Sequence, residues 1–248
     1  MMSQRDFELQ LLAPSAHQAA EFFTHTQVNT TAYEQLITAV RQLRQQVYTE
    51  EGMISQSENK ADYLQKDKEA WHLIGRKKSS GEMLGCVRMF FFQQAEAFPS
   101  AERMIEFGGV TFPHQQLYLS HLHTIHSHLQ TLRHRKKPLA YIGGMSVKNT
   151  GRKLGCGARL SLGINALSRI LHQAEGITFA RTEKGCAALF RKIGGYPLGG
   201  SPDMFYCDSY QCHIQMIGLR PEILPHKSER VVTQIEQQLK MNQVLAGQ

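Results

Sequence analysis

The chain has 248 residues, of which 42% are hydrophobic and 20% charged, and its net charge is +7. This is the composition of a folded globular protein and excludes a disordered one. No apolar run approaches the ~20 residues of a membrane-spanning helix, and the first residues lack the layout of a secretory signal. We therefore expect a cytoplasmic protein without stable membrane insertion. Five scattered cysteines without a C-x-x-C pair predict free thiols.

The first half of the chain predicts a helix followed by a β-hairpin. Residues 1–30 are polar and without a sustained period, which predicts a loose lead-in. Apolar residues then recur at three- and four-residue steps from Tyr33 to Val47, which predicts an amphipathic helix ending near Gly52. The polar segment 55–68 predicts a loop with a short turn of helix, and two strands between residues 71 and 92 predict the hairpin.

The second half predicts alternating helices and strands. A helix with an apolar seam leads through the basic residues 133–137 into a buried strand, 139–147, which a double glycine interrupts. A long helix over 157–174 follows, and then a strand at 177–180, a helix at 186–193, a hairpin at 205–219 and a final helix. We expect one α/β domain over residues 31–225, followed by a C-terminal helix over 226–248.

A glycine-rich connection between strand and helix carries the strongest chemical signal. The segment from Val147 to Leu160 contains three glycines and three cationic residues before the helix is established. The first N–H groups of a helix have no internal partner and carry partial positive charge. Glycines let a phosphate approach them, and Arg152 adds a charge-assisted hydrogen bond. The pattern predicts an anion cradle, and the alternative is a plain turn punctuated by glycine.

Arg152-Lys-Leu-Gly155-Cys-Gly157 resembles the [Q/R]-x-x-G-x-[G/A] loop of the GNAT acyltransferases. In that family the loop binds the pyrophosphate and pantetheine of acyl-CoA. Gly143-Gly144 stands where the family's donor-binding strand has a bulge, and Cys186–Tyr196 is similar to its A-x-x-L-Y-x-K-x-G-F segment. The resemblance implies a mixed α/β sheet with a bulged strand, flanking helices and a helical tail. The implied donor-binding residues are Met145, Ser146, Val147, Arg152, Lys153, Leu154, Gly155, Cys156, Gly157 and Ala158.

The N-terminal half resembles a narrower group of larger GNAT-like synthases. Arg44-Gln-Gln-Val-Tyr-Thr-Glu-Glu51 is similar to their R-x-x-V-Y-x-E-E, the segment from Asp67 to their D-x-x-x-x-H-L, and that around Arg88 to their G-x-x-R-L. The group includes acyl-homoserine-lactone synthases, long-chain N-acyl amino acid synthases and exosortase-associated acyltransferases. The resemblance implies transfer of a fatty acyl group from acyl-carrier protein or acyl-CoA to the amine of an amino acid or peptide side chain. Arg44, Glu51, Asp67 and Arg88 are the implied substrate residues, and the basic segment 133–137 would suit an acidic carrier protein.

Three departures from these families concern the catalytic half of the site. The strand motif E-x-x-R-L-x-V reads Tyr141 and Gly144 at its two charged positions, so both charges are missing. Phe190 stands where many GNAT acetyltransferases have a tyrosine that protonates the departing thiolate. In the acidic E-x-D-x-x-D cluster, which runs here from Asp62 to Asp67, Leu64 replaces the middle acid.

The proton acceptor therefore stays open among three side chains. Tyr141, Glu183 and Glu106 are the candidates, each with a structural hydrogen bond as its alternative role. The backbone N–H of Met145 is the expected oxyanion donor, because a bulge exposes it.

Other functions remain as alternatives. A non-catalytic acyl-CoA-binding module or a short-chain acetyltransferase would also fit the donor motif. A nucleic-acid binder is disfavoured, because the cations are spread along the chain and no recognition motif occurs. The histidines between residues 121 and 128 lack the i, i+4 spacing of a helical ligand pair, so we expect no metal. Phe90-Phe91-Phe92 would line an acyl-chain tunnel or pack as plain core.

Overall fold

A computed structural model of the chain describes residues 6–53, 63–199 and 204–247. The strands are β1 (Phe7–Ala13), β2 (Thr26–Val28), β3 (Trp71–Lys77), β4 (Met83–Phe92), β5 (Leu139–Val147), β6 (Glu175–Arg181), β7 (Tyr196–Pro197), β8 (Met204–Cys207), β9 (Cys212–Leu219) and β10 (Val244–Ala246). The helices are α1 (Ala16–Phe22), α2 (Thr30–Glu50), α3 (Tyr63–Lys68), α4 (Ala101–Gly108), α5 (Gln115–Arg135), α6 (Asn149–Lys153), α7 (Cys156–Ile170), α8 (Cys186–Lys192) and α9 (His226–Met241).

The described strands form one mixed sheet in the order β2-β10-β1-β3-β4-β5-β6-β9-β7, with β8 beside β9. Alternate residues of a strand face opposite sides, and the sheet is covered on both. Leu73 and Val87 pack with α7 and α9 on one face. Their neighbours Ile74 and Cys86 pack with α2 on the other face, where Phe90 joins a second cluster with α4 and α5. This arrangement confirms the predicted α/β class and the hairpin, which is the antiparallel pair β3–β4.

Both ends of the chain differ from the predictions. Within the predicted loose lead-in, β1 pairs antiparallel with β3 from Phe7 to Leu12. At the other end, α9 stops at Met241, and β10 inserts between β1 and β2 as a parallel strand. Because β1 has neighbours on both edges and helices on both faces, its residues Leu11–Ala13 are all buried. The predicted lead-in was therefore wrong over residues 7–28, and the predicted C-terminal helix was too long.

The predicted bulge is present in β5. Cys86 of β4 faces Ser146, whereas Arg88, two residues on, faces Gly143, so β5 carries one extra residue. Gly144 takes up the distortion with a φ of 62°, a left-handed conformation that glycine adopts at little cost. From residue 143 onward β5 and β6 are no longer paired, since their parallel pairing ends at Ile142↔Thr178.

Two segments differ from the predictions, and a third agrees with its prediction over the described residues. The expected loop after β5 contains the short helix α6, and α7 ends at Ile170 rather than at residue 174. The predicted turn of helix in segment 55–68 corresponds to α3, while residues 54–62, including Asp62, lie outside the described residues.

Candidate acyl-donor site

A cavity of about 400 Å³ lies where β5 and β6 diverge. We call it the main cavity. Its volume falls within the roughly 300–1,000 Å³ of ordinary small-molecule sites. Its walls come from the C-terminal part of α2, the bulge of β5, the start of α7, the end of β6 and α8. The residues used below that line it are Tyr48, Glu51, Gly143, Gly144, Met145, Val147, Arg152, Gly155, Gly157, Ala158, Arg181, Cys186 and Phe190.

The start of α7 forms one end of the main cavity. Gly155 caps the helix with a φ of 73°, and the N–H groups of the next three residues begin the helix without intrahelical partners. Partial positive charge therefore points toward the splayed strands. A Cβ on Gly157 would make only an ordinary contact with Leu189, at 3.6 Å, so the space there would also accept a small side chain.

The structure separates the ten predicted donor-binding residues into two groups. Those that line the main cavity are Met145, Val147, Arg152, Gly155, Gly157 and Ala158. Ser146, Lys153, Leu154 and Cys156 do not line it. Cys156 is fully buried, and its Sγ lies 2.8 and 2.9 Å from the positions that Cβ atoms on Gly75 and Gly85 would occupy. The side chain of Cys156 therefore packs in the core between the sheet and α7.

Arg152, the predicted phosphate ligand, is engaged by Glu51. One guanidinium nitrogen of Arg152 forms an ion pair with the carboxylate of Glu51, and its Nε donates a hydrogen bond to the carbonyl of Val147 at 3.2 Å. The second oxygen of Glu51 accepts a hydrogen bond from Arg181 at 2.8 Å. An incoming phosphate must therefore compete with a carboxylate for Arg152.

Sequence reasoning missed Arg181, which no local motif indicates. It stands at the end of β6, 130 residues from Glu51, and only the fold brings the two together.

A buried ion cluster supports the opposite side of β5. Asp67 accepts hydrogen bonds from Arg44 at 3.0 and 3.1 Å and from Arg88 at 2.9 Å. Asp67 has no exposed surface, and the two arginines are 7% and 3% exposed. Burial raises the pKa of the Asp67 carboxyl, but the two guanidinium groups outweigh that effect and hold the pKa below its usual value. Residue 144 must be glycine here, because a Cβ would lie 2.8 Å from Nε of Arg44.

His72 completes this cluster as a neutral side chain. Its Nε2 lies 2.7 Å from the carbonyl oxygen of Asp67, and burial lowers the pKa of the imidazole to about 4.

The four implied substrate residues lie in different places relative to the cavities. Glu51 lines the main cavity, whereas Arg44 and Asp67 line neither it nor the smaller cavity described below. Arg88 borders the smaller one, and the substrate role of all four stays a prediction.

The smaller cavity, which we call the annex, holds about 70 Å³ behind the bulge. It shares residues with the main cavity, among them Tyr48, Gly143, Gly144, Phe179 and Arg181. Its lining combines apolar side chains such as Phe107 and Val110 with polar ones, including Tyr141 and the guanidinium groups of Arg88 and Arg181. Phe107 stacks on Phe90, with ring centroids 4.9 Å apart and planes 6° from parallel. Phe107 borders the annex, and Phe90 packs behind it in the same hydrophobic cluster. Phe90 is therefore a core residue.

The candidate catalytic groups occupy different places. Met145 follows Gly144 in the bulge and lines the main cavity. Tyr141 borders only the annex, where its ring packs near Phe90 and Phe107. Glu183 lines neither cavity, and its carboxylate accepts a hydrogen bond from the backbone N–H of His213 at 2.6 Å.

The third candidate acceptor, Glu106, is on the surface. Its carboxylate pairs with Arg103 at 2.8 Å and is 58% exposed.

The basic segment 133–137 lies away from the main cavity. It precedes β5, whereas the main cavity is lined by residues of that strand from Ile142 onward, which begin about 15 Å away at the usual rise per residue. Arg135 pairs there with Glu175 and Glu222, and Arg133 lies over the ring of Phe98. This position does not support the predicted role of the segment in docking a carrier protein at the main cavity.

The described residues contain neither a metal-binding cluster nor a membrane-spanning helix. Within residues 6–53, 63–199 and 204–247, no group of three or more His, Cys, Asp and Glu side chains is placed to hold a metal ion. In the same part of the chain, no helix has the length and apolar character needed to cross a bilayer.

Comparison with known proteins agrees with the fold. Residues 43–149 match the family described as the acetyltransferase (GNAT) domain. Among solved structures, FeeM, an N-acyl amino acid synthase from uncultured soil microbes, is 13% identical with a TM-score of 0.53, over 90% of this chain and 97% of FeeM. MesI, a CoA-dependent acyl-homoserine lactone synthase, is 10% identical with a TM-score of 0.51, over 96% and 98%. At these identities the likeness shows a common fold. No curated protein is similar enough in sequence to count as a match.

Proposed function

We propose that this chain is a GNAT-type acyltransferase that moves an acyl group from an acyl-CoA or a carrier-bound acyl-phosphopantetheine to an amine, by direct attack of the amine on the thioester. One observation carries the proposal. The bulge at Gly144 opens a cavity between β5 and β6, and the start of α7 stands at one end of that cavity. Extended backbone and an anion site are thus arranged in line, as a phosphopantetheine arm requires.

The donor would lie along the unpaired part of β5. Its phosphate would meet the N–H groups at the start of α7, and Arg152 would turn from Glu51 toward it. The pantetheine amides would pair with the backbone of β5 beyond Ile142, where β6 no longer occupies that edge. The thioester would then reach the bulge, beside Met145.

The reaction at the bulge needs a neutral amine and a stabilised oxyanion. The backbone N–H of Met145 would donate to the carbonyl oxygen as negative charge develops on it. Tyr141 borders the annex next to the bulge, whereas Glu183 is held by His213 outside both cavities. Tyr141 is therefore the better placed of these two predicted acceptors, and positioning of the amine supplies a further part of the rate.

The annex favours a short acyl group over the fatty acyl chain that the sequence predicts. Its volume of about 70 Å³ is half of the roughly 150 Å³ cavity that accommodates a benzene ring. The stacked pair Phe107–Phe90 stands at its inner end. A short-chain acyl donor is thus the second candidate that a specific observation supports, and a long chain requires Phe107 to move.

The proposed acceptor is an amine of an amino acid or of a peptide side chain. Glu51 and Arg181 place opposite charges on the wall of the main cavity, next to the proposed position of the thioester. Such a wall suits a polar acceptor that carries its own charge.

The direct test is release of free thiol from acyl-CoA donors of graded chain length, with and without a panel of amines. We expect amine-dependent release that is fastest with short acyl groups and that yields an amide by mass spectrometry. Absence of release with every donor would contradict the enzymatic proposal. Tight acyl-CoA binding without turnover would instead support a binding module.

Chain length provides a sharper test through Phe107→Ala, with Phe98→Ala as its matched control. Both rings pack in the same hydrophobic cluster, but only Phe107 borders the annex. Removing Phe107 makes room for a longer acyl group. For a donor that is one or two methylene groups longer, we expect kcat/KM relative to the short donor to rise by roughly tenfold over the wild-type ratio. Phe98→Ala should lower stability without changing the order of preference. Equal preferences in the two variants would show that the annex does not hold the acyl chain.

A further inference from the structure

The proposed reaction must carry one proton from the attacking amine to the departing sulfur. When an amine displaces the donor, the sulfur departs as a thiolate and needs a proton. Phe190, which is buried and lines the main cavity, has no hydroxyl group to supply it. The required donor must therefore come from another wall of the cavity.

Helix α2 presents three residues in succession along the distorted part of β5. Arg44 lies against Gly144, and Glu51 reaches Arg152 beyond the end of the strand. Tyr48 stands between them, four residues after Arg44 and three before Glu51, so all three share one face of the helix. This spacing places Tyr48 between the bulge and the cradle.

Tyr48 is also situated at the junction of the two cavities. It borders both the main cavity and the annex. If the pantetheine arm occupies the main cavity and the acyl chain the annex, the thioester lies where the two cavities meet, next to Tyr48. Of the described residues that line the main cavity, Tyr48 is the only one with a phenolic hydroxyl. Tyr141, the other tyrosine considered, borders the annex alone.

We propose that the hydroxyl of Tyr48 protonates the departing thiolate, a role that rests on the function proposed above. The amine nitrogen forms its bond to the carbonyl carbon, and the C–S bond breaks with its electron pair going to sulfur. The phenolic proton passes to that sulfur and gives the free thiol. The new amide nitrogen still carries the extra proton of the attacking amine, and its transfer to the phenolate restores Tyr48.

The surroundings of Tyr48 suit a proton donor. Burial raises the pKa of the phenol, and the charges of Arg44 and Arg88 oppose that shift without cancelling it. The hydroxyl is therefore protonated at neutral pH and ready to donate. A thiolate set free in the same enclosed cavity is also a stronger base than in water, because burial disfavours its charge.

The test compares Tyr48→Phe with the wild type on two donors that carry the same acyl group. One is an acyl-pantetheine, whose alkyl thiolate needs a proton, and the other is an acyl-thiophenol, whose more acidic thiol leaves without help. We expect kcat on the pantetheine donor to fall by about 10²–10³-fold, with KM little changed, and kcat on the thiophenol donor to fall by less than about threefold. Tyr206→Phe is the control, since that hydroxyl is on the surface and bonds to Gln211.

Tyr48→Phe retains the ring of residue 48 and its edge-on contact with Tyr210, at a centroid distance of 6.2 Å. The melting temperature of this variant should therefore be close to that of the wild type. Unchanged kcat on the pantetheine donor, or equal losses on the two donors, would overturn the role of Tyr48 while leaving the acyltransfer proposal intact. Wild-type protein that releases no thiol from either donor with any amine would instead overturn the proposed function, and the proton-donor role with it.

Discussion

The two sides of β5 are built on different physical principles. Toward α7, the cradle depends on backbone N–H groups, glycines and a single guanidinium group that a carboxylate already holds. Toward α2, the support is a set of side-chain charges, with Asp67 between Arg44 and Arg88 and almost no water around them. The first side can exchange its partner for a ligand, whereas the second cannot lose a partner without burying an unpaired charge. We infer that the cluster holds the bulge rigid while the cradle opens to bind.

The largest expected effect is on the side of the ion cluster. Asp67→Asn leaves the guanidinium groups of Arg44 and Arg88 buried without a counter-charge, which should lower the free energy of unfolding by about 3–5 kcal/mol. Denaturant titration measures this loss. Glu236→Gln is the matched control, because its partner Lys240 is 52% exposed and such pairs contribute about 0–1 kcal/mol. Similar losses in the two variants would contradict the distinction between the two sides.

Acid should weaken the same cluster through His72. The pKa of His72 is about 4 in the folded protein and about 6.5 in an unfolded chain. The unfolded state therefore binds more protons as pH falls, so stability that is present above pH 6.5 is lost progressively toward pH 4. The expected loss by pH 5 is on the order of 2 kcal/mol.

The control for this pH dependence is His72→Gln, measured by urea unfolding at several pH values. We expect a shallower slope between pH 6.5 and 5 in the variant. His128, whose pKa burial also lowers to about 4, accounts for part of the remaining slope, which His128→Gln would remove. An unchanged slope in His72→Gln would assign the acid sensitivity elsewhere.

Gly144 joins the two sides, and its replacement by alanine should affect both. The left-handed φ alone costs a residue with a Cβ about 1–2 kcal/mol, and the new atom would press on Arg44. We expect lower stability together with weaker acyl-CoA binding, measured by calorimetry. Gly143→Ala tests the specificity of the effect, since the backbone there is not left-handed and the nearest contact is an ordinary 3.4 Å. If Gly143→Ala and Gly144→Ala lose the same stability and the same affinity for acyl-CoA, Gly144 does not couple the ion cluster to the cradle.

The smallest effect is expected at the cradle. Arg152→Ala should raise the Kd for acyl-CoA by roughly tenfold, as loss of one charge-assisted bond predicts, and should make binding less sensitive to salt. The fold should be unaffected because Arg152 is 37% exposed. Arg191→Ala removes the same charge from an exposed position outside the main cavity. An equal rise in Kd in that control would reduce the role of Arg152 to general electrostatics.

These contrasts also explain what could be predicted from the sequence. The bulge at Gly144 is confirmed, and it was predictable because a double glycine leaves a local signal in the sequence. The anion-binding role of the cradle stays a prediction, which rests on residues that are contiguous in the chain. The helix α6 was missed because Thr150 and Gly151 are poor helix formers. Residue 151 must nevertheless be glycine, since a Cβ there would lie 2.7 Å from the carbonyl oxygen of Leu84.

Other features depended on distant parts of the chain. Strand β1 begins with the alternation Phe7, Leu9, Leu11, but this pattern is lost where the strand is buried on both faces, as central strands are. The pairing of Arg181 with Glu51 spans 130 residues, so no local pattern could indicate it. The position of Tyr48 at the junction of two cavities likewise follows only from how α2 crosses the sheet.

The insertion of β10 between β1 and β2 has a consequence for biosynthesis. The edges of β1 and β2 that face each other are filled by Val244–Ala246, near the C-terminal end of the sequence. During translation β1 and β2 are released first but must wait, with those edges unpaired, until residues 244–246 have been made. Exposed strand edges of this kind invite pairing with other chains. A nascent chain stalled before residue 244 should therefore be prone to aggregation and to capture by chaperones, although every residue of the proposed cradle at the start of α7 has already been synthesised.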